Sequence, residues 1–230
     1  MGHDHPLELD AHDAASDAPS PTTQNLPSVG RIAMEFGCLV LLAILVPVIV
    51  LLDVKLLSGR VSETSLTELT QAGLILLTAV LFFVGARRRP EANGYLMSVA
   101  TLSAWMFLRE NDVYFDVIWH GFWVVPNTAL LGLGTLFAYR HSDTLKTAFR
   151  LHAATREAAF VMAGFVIVVI FSRVFGSGEL WRPIMGATYD PAFKAAVQES
   201  VELMGYALIA FGAVLSFRTG FGQNRKGAAN

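Results

Sequence analysis

Long apolar runs separated by short charged segments dominate the chain from residue 31 to residue 218. Residues 32–52 open with Ile-Ala-Met-Glu-Phe-Gly-Cys and continue as a Leu/Val/Ile series to Leu52. Further runs cover residues 67–86, 94–110, 117–139, 157–176 and 197–217. Apolar and polar positions do not alternate within them, which excludes barrel strands and predicts helices. A helix needs about 20 residues to cross a hydrocarbon core of roughly 30 Å. Four of the six runs meet that length. The third holds a 14-residue uncharged stretch, Tyr95 to Leu108, and the sixth a clean stretch from Leu203 to Phe217, so each begins or ends among charged residues. The expected fold is all-α: a polytopic membrane protein built as a bundle of six transmembrane helices.

The ends read differently. Residues 1–30 are polar, rich in Asp, Pro, Ser and Ala, and lack apolar periodicity, so the sequence predicts a disordered tail. The start is acidic and lacks the positive region of a secretory signal. Residues 219–230 form a short basic tail. Over 230 residues, 53% of side chains are hydrophobic and 16% charged, with a mean hydropathy of +0.49. Soluble domains carry about a quarter charged residues; the shortfall, concentrated in long uncharged stretches, excludes a disordered protein and argues against a soluble single core. The formal net charge of −2, with basic residues in separate loops, argues against nucleic acid as a partner. Cys38 stands alone in an apolar run, which leaves no disulfide framework and no thiolate metal site.

Lysine and arginine set the expected orientation. With both termini cytoplasmic, 11 of the 17 fall inside, including Arg87-Arg88-Arg89 and the Arg140–Arg156 loop, and 6 outside. Tyr114, Trp119, Trp123, Trp181 and Tyr189 then lie near the outer boundary as interfacial anchors. The lipid bilayer is the expected surroundings; no protein partner or oligomeric state is implied. No internal repeat of the transporter kind is present.

This topology gathers ionisable residues at the outer end. Glu68 and Gln71 open the second span, Arg109 through His120 form the hairpin between the third and fourth, Arg173 ends the fifth, and Gln198-Glu199-Ser200-Val201-Glu202 starts the sixth. Such groups are costly in lipid unless paired or wet. In one reading, Arg109, Glu110, Asp112 and Arg173 form a structural ion-pair cluster that ties helix ends together. In a second, Asp116 and His120, four apart, and Glu199 and Glu202, three apart, ligate a divalent metal. In a third, a polar stripe through Asn127 and Tyr206 lines a proton or solute pathway, with His120 and Glu202 changing charge. Pro126 would break one backbone bond beside Asn127. Gly132, Gly134, Gly205 and Gly212 are expected at close helix contacts. Ser103 and Ser200 lack base partners, so a serine hydrolase is unsupported. No cofactor is implied beyond that possible divalent metal.

The stretch Arg109-Glu110-Asn111-Asp112-Val113-Tyr114-Phe115-Asp116, with His120-Gly121-Phe122-Trp123 and Gln198 to Tyr206, resembles a group of small uncharacterised bacterial six-span inner-membrane proteins. The resemblance covers roughly residues 95–217 and implies fold and location only. The paired histidine motifs of intramembrane ceramidase-like hydrolases are absent: the spans hold only His120. The sequence therefore favours a non-enzymatic scaffold or a handler of ions or small solutes. The alternative is a metal-dependent membrane-embedded hydrolase using Asp116, His120, Glu199 and Glu202.

Overall fold

A computed structural model describes residues 28–56 and 65–222. Most of the polar N-terminal tail, with its His and Asp residues, and residues 223–230 lie outside the described residues. Two compact units are distinguished, Met1–Leu39 and Val40–Asn230, with helix α1 (Val29–Leu56) running through the boundary. In the first unit, Arg31 Nε meets Glu35 Oε1 at 3.0 Å, one helical turn away.

The second unit contains α2 (Leu66–Arg88), α3 (Asn93–Glu110), α4 (Asp112–Asp116), α5 (Val124–Arg140), α6 (Ser142–Ala153) and α7 (Arg156–Val166). A π-helical segment, Ile167–Phe171, leads into α8 (Ser172–Phe175), followed by α9 (Gly178–Met185) and α10 (Pro191–Thr219). The protein is all-α. Among the described residues, four helices are long and apolar enough to cross a membrane: Val29–Lys55, Leu66–Arg88, Arg156–Phe175 and Pro191–Thr219. Their outer faces carry exposed large apolar side chains such as Leu69, Leu41 and Ile170, as lipid-facing surfaces do.

Several boundaries depart from expectation. The sixth run is longer than its clean apolar core: α10 takes in the charged residues before Leu203 and reaches 29 residues. Asp190 accepts from Ala192 N at 2.8 Å and Pro191 occupies the first helical position, so the chain has both start signals there. The fourth run is shorter. Residues 117–123 form turns, and α5 begins at Val124 with 17 residues. Gly121, at φ +86°, takes a left-handed conformation that ends any continuous helix from residue 117. Pro126 therefore sits in the first turn of α5, where its missing N–H has no intrahelical partner to lose, and it breaks nothing.

Packing centres on α10, which lies against α2 and α7, while α3 contacts α2, α5 and α6. Close approach of α7 and α10 depends on glycine. A Cβ on Gly164 would meet the Gly205 carbonyl oxygen at 2.5 Å, and one on Gly212 would meet the Glu157 carbonyl oxygen at 2.8 Å. Small residues let backbones touch where apolar burial alone gives no preference over lipid. Gly132, by contrast, faces open space. One apolar cluster joins Phe82, Ala86, Leu96, Ala148, Ala213 and Phe221. Another joins Ile75, Met106, Val168, Tyr206 and Ile209.

Asp53 fixes how α1 meets α2. It is buried, accepts from the backbone N–H of Leu66 at 2.9 Å and of Thr67 at 2.6 Å, and also bonds the Thr67 hydroxyl. Two first-turn donors of α2 are thus satisfied by a residue on another helix, while Ser65 accepts from Glu68 N at 3.2 Å.

Candidate functional site

The polar cluster is assembled by helices that finish or start at one end of the second unit. The last turn of α3 supplies Glu110, α8 supplies Arg173, the first half of α10 supplies Gln198, Glu199, Glu202 and Tyr206, and α2 supplies Gln71. Arg173 Nη2 lies 3.2 Å from Glu202 Oε1, and Gln198 Nε2 donates to the same oxygen at 3.1 Å. The Tyr206 hydroxyl donates to Glu110 Oε1 at 2.7 Å. Gln71 Nε2 donates to Glu199 Oε2 at 2.9 Å and to the Glu199 carbonyl oxygen at 3.2 Å. Glu110, Glu199 and Glu202 all lie within electrostatic reach of one another and of Arg173. Glu202, Tyr206 and Gln71 are buried.

Satisfaction is incomplete. Gln71 is fully buried, yet its Oε1 has no donor. The charge count is also unbalanced. Arg109 Nη1 pairs with Asp112 Oδ2 at 2.9 Å, and its guanidinium lies 5.7 Å from the centre of the Trp123 ring. Arg173 pairs with Glu202, so Glu110 and Glu199 have only neutral hydrogen-bond donors.

The proposed metal ligands do not form a metal site. Among the described residues, no group of three or more His, Cys, Asp and Glu side chains is placed to hold a metal ion. Asp116 ends α4; it accepts from Gly121 N at 2.8 Å and lies 3.2 Å from His120 Nδ1 across the turn, with His120 fully exposed. Glu199 and Glu202 turn instead to Gln71, Gln198 and Arg173. The Asp116–His120 pair thus forms as its spacing predicts, but the glutamates of α10 that were to complete the ligand set are engaged elsewhere. This arrangement contradicts a divalent metal held by Asp116, His120, Glu199 and Glu202, and with it the hydrolase built on these four residues.

The polar stripe divides likewise. Tyr206 joins the carboxylate cluster, whereas Asn127 is buried on α5 with neither amide atom hydrogen bonded.

A second polar group, at the far end of α10, escaped the sequence reading. His152 of α6 is 1% exposed; its Nδ1 is hydrogen bonded to the Tyr95 hydroxyl at 2.7 Å and its Nε2 to Ser216 Oγ at 2.8 Å. Phe82 and Phe221 pack around the imidazole. Burial pushes its pKa down from the ordinary 6.5 to about 4, against the opposing pull of Glu157. A serine beside histidine can serve as a nucleophile where substrate reaches it, but Ser216 is fully buried. The three side chains join α3, α6 and α10.

A cavity of about 420 Å³ opens beside the carboxylate cluster, lined by Leu102, Trp105 and Met106 of α3, Phe165 of α7 and Val168 and Val169 of the π segment. Arg109, Glu110, Arg173 and Tyr206 also line it. The chain matches no protein-family model, no curated protein and no solved structure. The geometry defines a membrane-embedded helical protein with ion pairs partly buried at one end of its helices.

Proposed function

We propose that the chain is a six-span protein of the bacterial inner membrane, with both ends cytoplasmic, that handles protons or small solutes without catalysing covalent chemistry. The asymmetry of lysine and arginine supports the orientation, and the likeness to small bacterial inner-membrane proteins supports the location. In this reading α3 and α5 complete the six crossings, their ends reaching the interface through Arg109, Glu110 and Arg140.

One observation carries the proton reading: of Glu110, Glu199 and Glu202 only Glu202 has a direct ion pair, with the guanidinium of Arg173, while the buried Gln71 Oε1 lacks a donor. A proton held in the cluster supplies one of the two missing positive charges and, as a carboxyl O–H, the missing donor. Purified protein in liposomes carrying a pH-sensitive dye tests this. The expected result is proton flux above that of empty liposomes, lost in Glu199→Gln while thermal unfolding is unchanged. Flux equal to that of empty liposomes, or flux retained by Glu199→Gln, overturns the proton reading and leaves the cluster as a tie between helix ends.

A further inference from the structure

The cavity beside α3 raises a separate question: what occupies a groove that is mostly apolar but partly charged. Three charged side chains line it. Arg109 is paired with Asp112 and Arg173 with Glu202, so both cations are already matched by carboxylates. Glu110 is not: its partner at 2.7 Å is the neutral hydroxyl of Tyr206, and both arginines act on it only at a distance. Glu110 is therefore the one charged group lining the groove without a direct ionic partner. The walls add a second preference. Trp105 and Phe165 line the same space, and aromatic faces attract cations within about 6 Å of the ring centroid. An anionic amphiphile would have to displace a carboxylate from one arginine, whereas a cation meets a carboxyl group that lacks a direct ionic partner, and two aromatic rings.

Shape agrees with charge. The π segment from Ile167 to Phe171 interrupts α7 and α8 beside the groove, and both Val168 and Val169 line it. Such local widening of a helix turn is frequent at functional sites. The volume of about 420 Å³ falls in the range of small-molecule pockets, which are mostly apolar with a few fixed polar groups.

We propose that the groove formed by Leu102, Trp105, Phe165 and Val168, with Glu110 in its lining, binds a lipophilic cation: a hydrophobic organic amine or onium ion. The assignment goes beyond the proton reading and does not require it, because it concerns Glu110 and the groove walls, whereas the flux experiment turns on Glu199.

The test uses the full chain in lipid nanodiscs, with empty nanodiscs as the blank, and two probes of nearly equal size and opposite charge, tetraphenylphosphonium and tetraphenylborate. Saturable binding of the phosphonium, with none of the borate, is the expected result. Glu110→Gln keeps an acceptor for the Tyr206 hydroxyl but removes the charge, and should weaken phosphonium binding by roughly tenfold or more. Leu102→Trp fills the groove from its exposed rim, leaves every charge in place, and should abolish binding with unchanged thermal unfolding. If Glu110→Gln fails to fold, Leu102→Trp alone decides. Borate binding equal to or tighter than phosphonium binding, absence of saturable phosphonium binding, or undiminished binding in Leu102→Trp overturns the proposal. Loss of proton flux with phosphonium binding intact, or the reverse, shows which of the two readings has failed.

Discussion

Acidification should destabilise this protein through His152 in particular. The imidazole is buried among Phe82, Phe221 and Tyr95, and its pKa falls to about 4 against about 6.5 for a free histidine. Above pH 6.5 the ring is neutral in both folded and unfolded chains, and the full stability is present. Between about 6.5 and 4 the unfolded chain binds a proton that the folded chain does not, so stability falls as pH falls. The slope is about 1.4 kcal/mol per pH unit, giving a total loss on the order of 3 kcal/mol by pH 4. The assay is denaturant unfolding of the wild type and of His152→Gln at steps from pH 7.5 to 4, at constant ionic strength. Carboxylates elsewhere titrate in both proteins and cancel in the difference. The wild type should lose its advantage over the variant progressively below pH 6.5. A wild-type-minus-variant difference that stays flat across the range would refute the reasoning and require a histidine that reaches solvent.

Two further perturbations probe the packing. Asp53→Ala removes the acceptor of two first-turn N–H groups of α2 and of the Thr67 hydroxyl, all in a buried setting, and should cost about 2–4 kcal/mol by denaturant unfolding; a loss below about 0.5 kcal/mol would mean that water replaces the carboxylate. Gly164→Val places side-chain atoms where the Gly205 carbonyl oxygen and Ile209 already stand, and should lower stability by about 1–3 kcal/mol or more, while the same change at Gly132, which faces open space, should have a far smaller effect; equal losses at both sites would refute the close approach of α7 and α10.

Much of the helical organisation was legible because it depends on local quantities. Run length, hydropathy and the absence of alternation mark α1, α2, α7 and α10 without any knowledge of neighbours. The boundaries in the fourth run were less accessible. Asp116 and His120 meet as their spacing implies, but across turns and not on a continuous helix, because the chain leaves the helix after Asp116 and Gly121 adopts a left-handed backbone. Glu199 and Glu202 share a helix as their spacing implies, yet each takes a different partner, Gln71 from α2 for one and Arg173 from α8 for the other. No spacing rule within α10 could assign them.

The same distinction separates the remaining residues. Asp53 lies at the end of an apolar run and gives no local sign that it caps another helix, because its acceptors meet donors 13 and 14 residues away. His152 reads as one more charged position in a basic loop until Tyr95 and Ser216 close around it from α3 and α10. By itself the sequence determined that the chain is helical and suited to lipid, since an apolar run must hide its backbone polar groups in helices wherever it lies. Only the tertiary structure decided which charges are matched and which are left over, because a buried ion pair depends on distances across helices that the linear order does not encode.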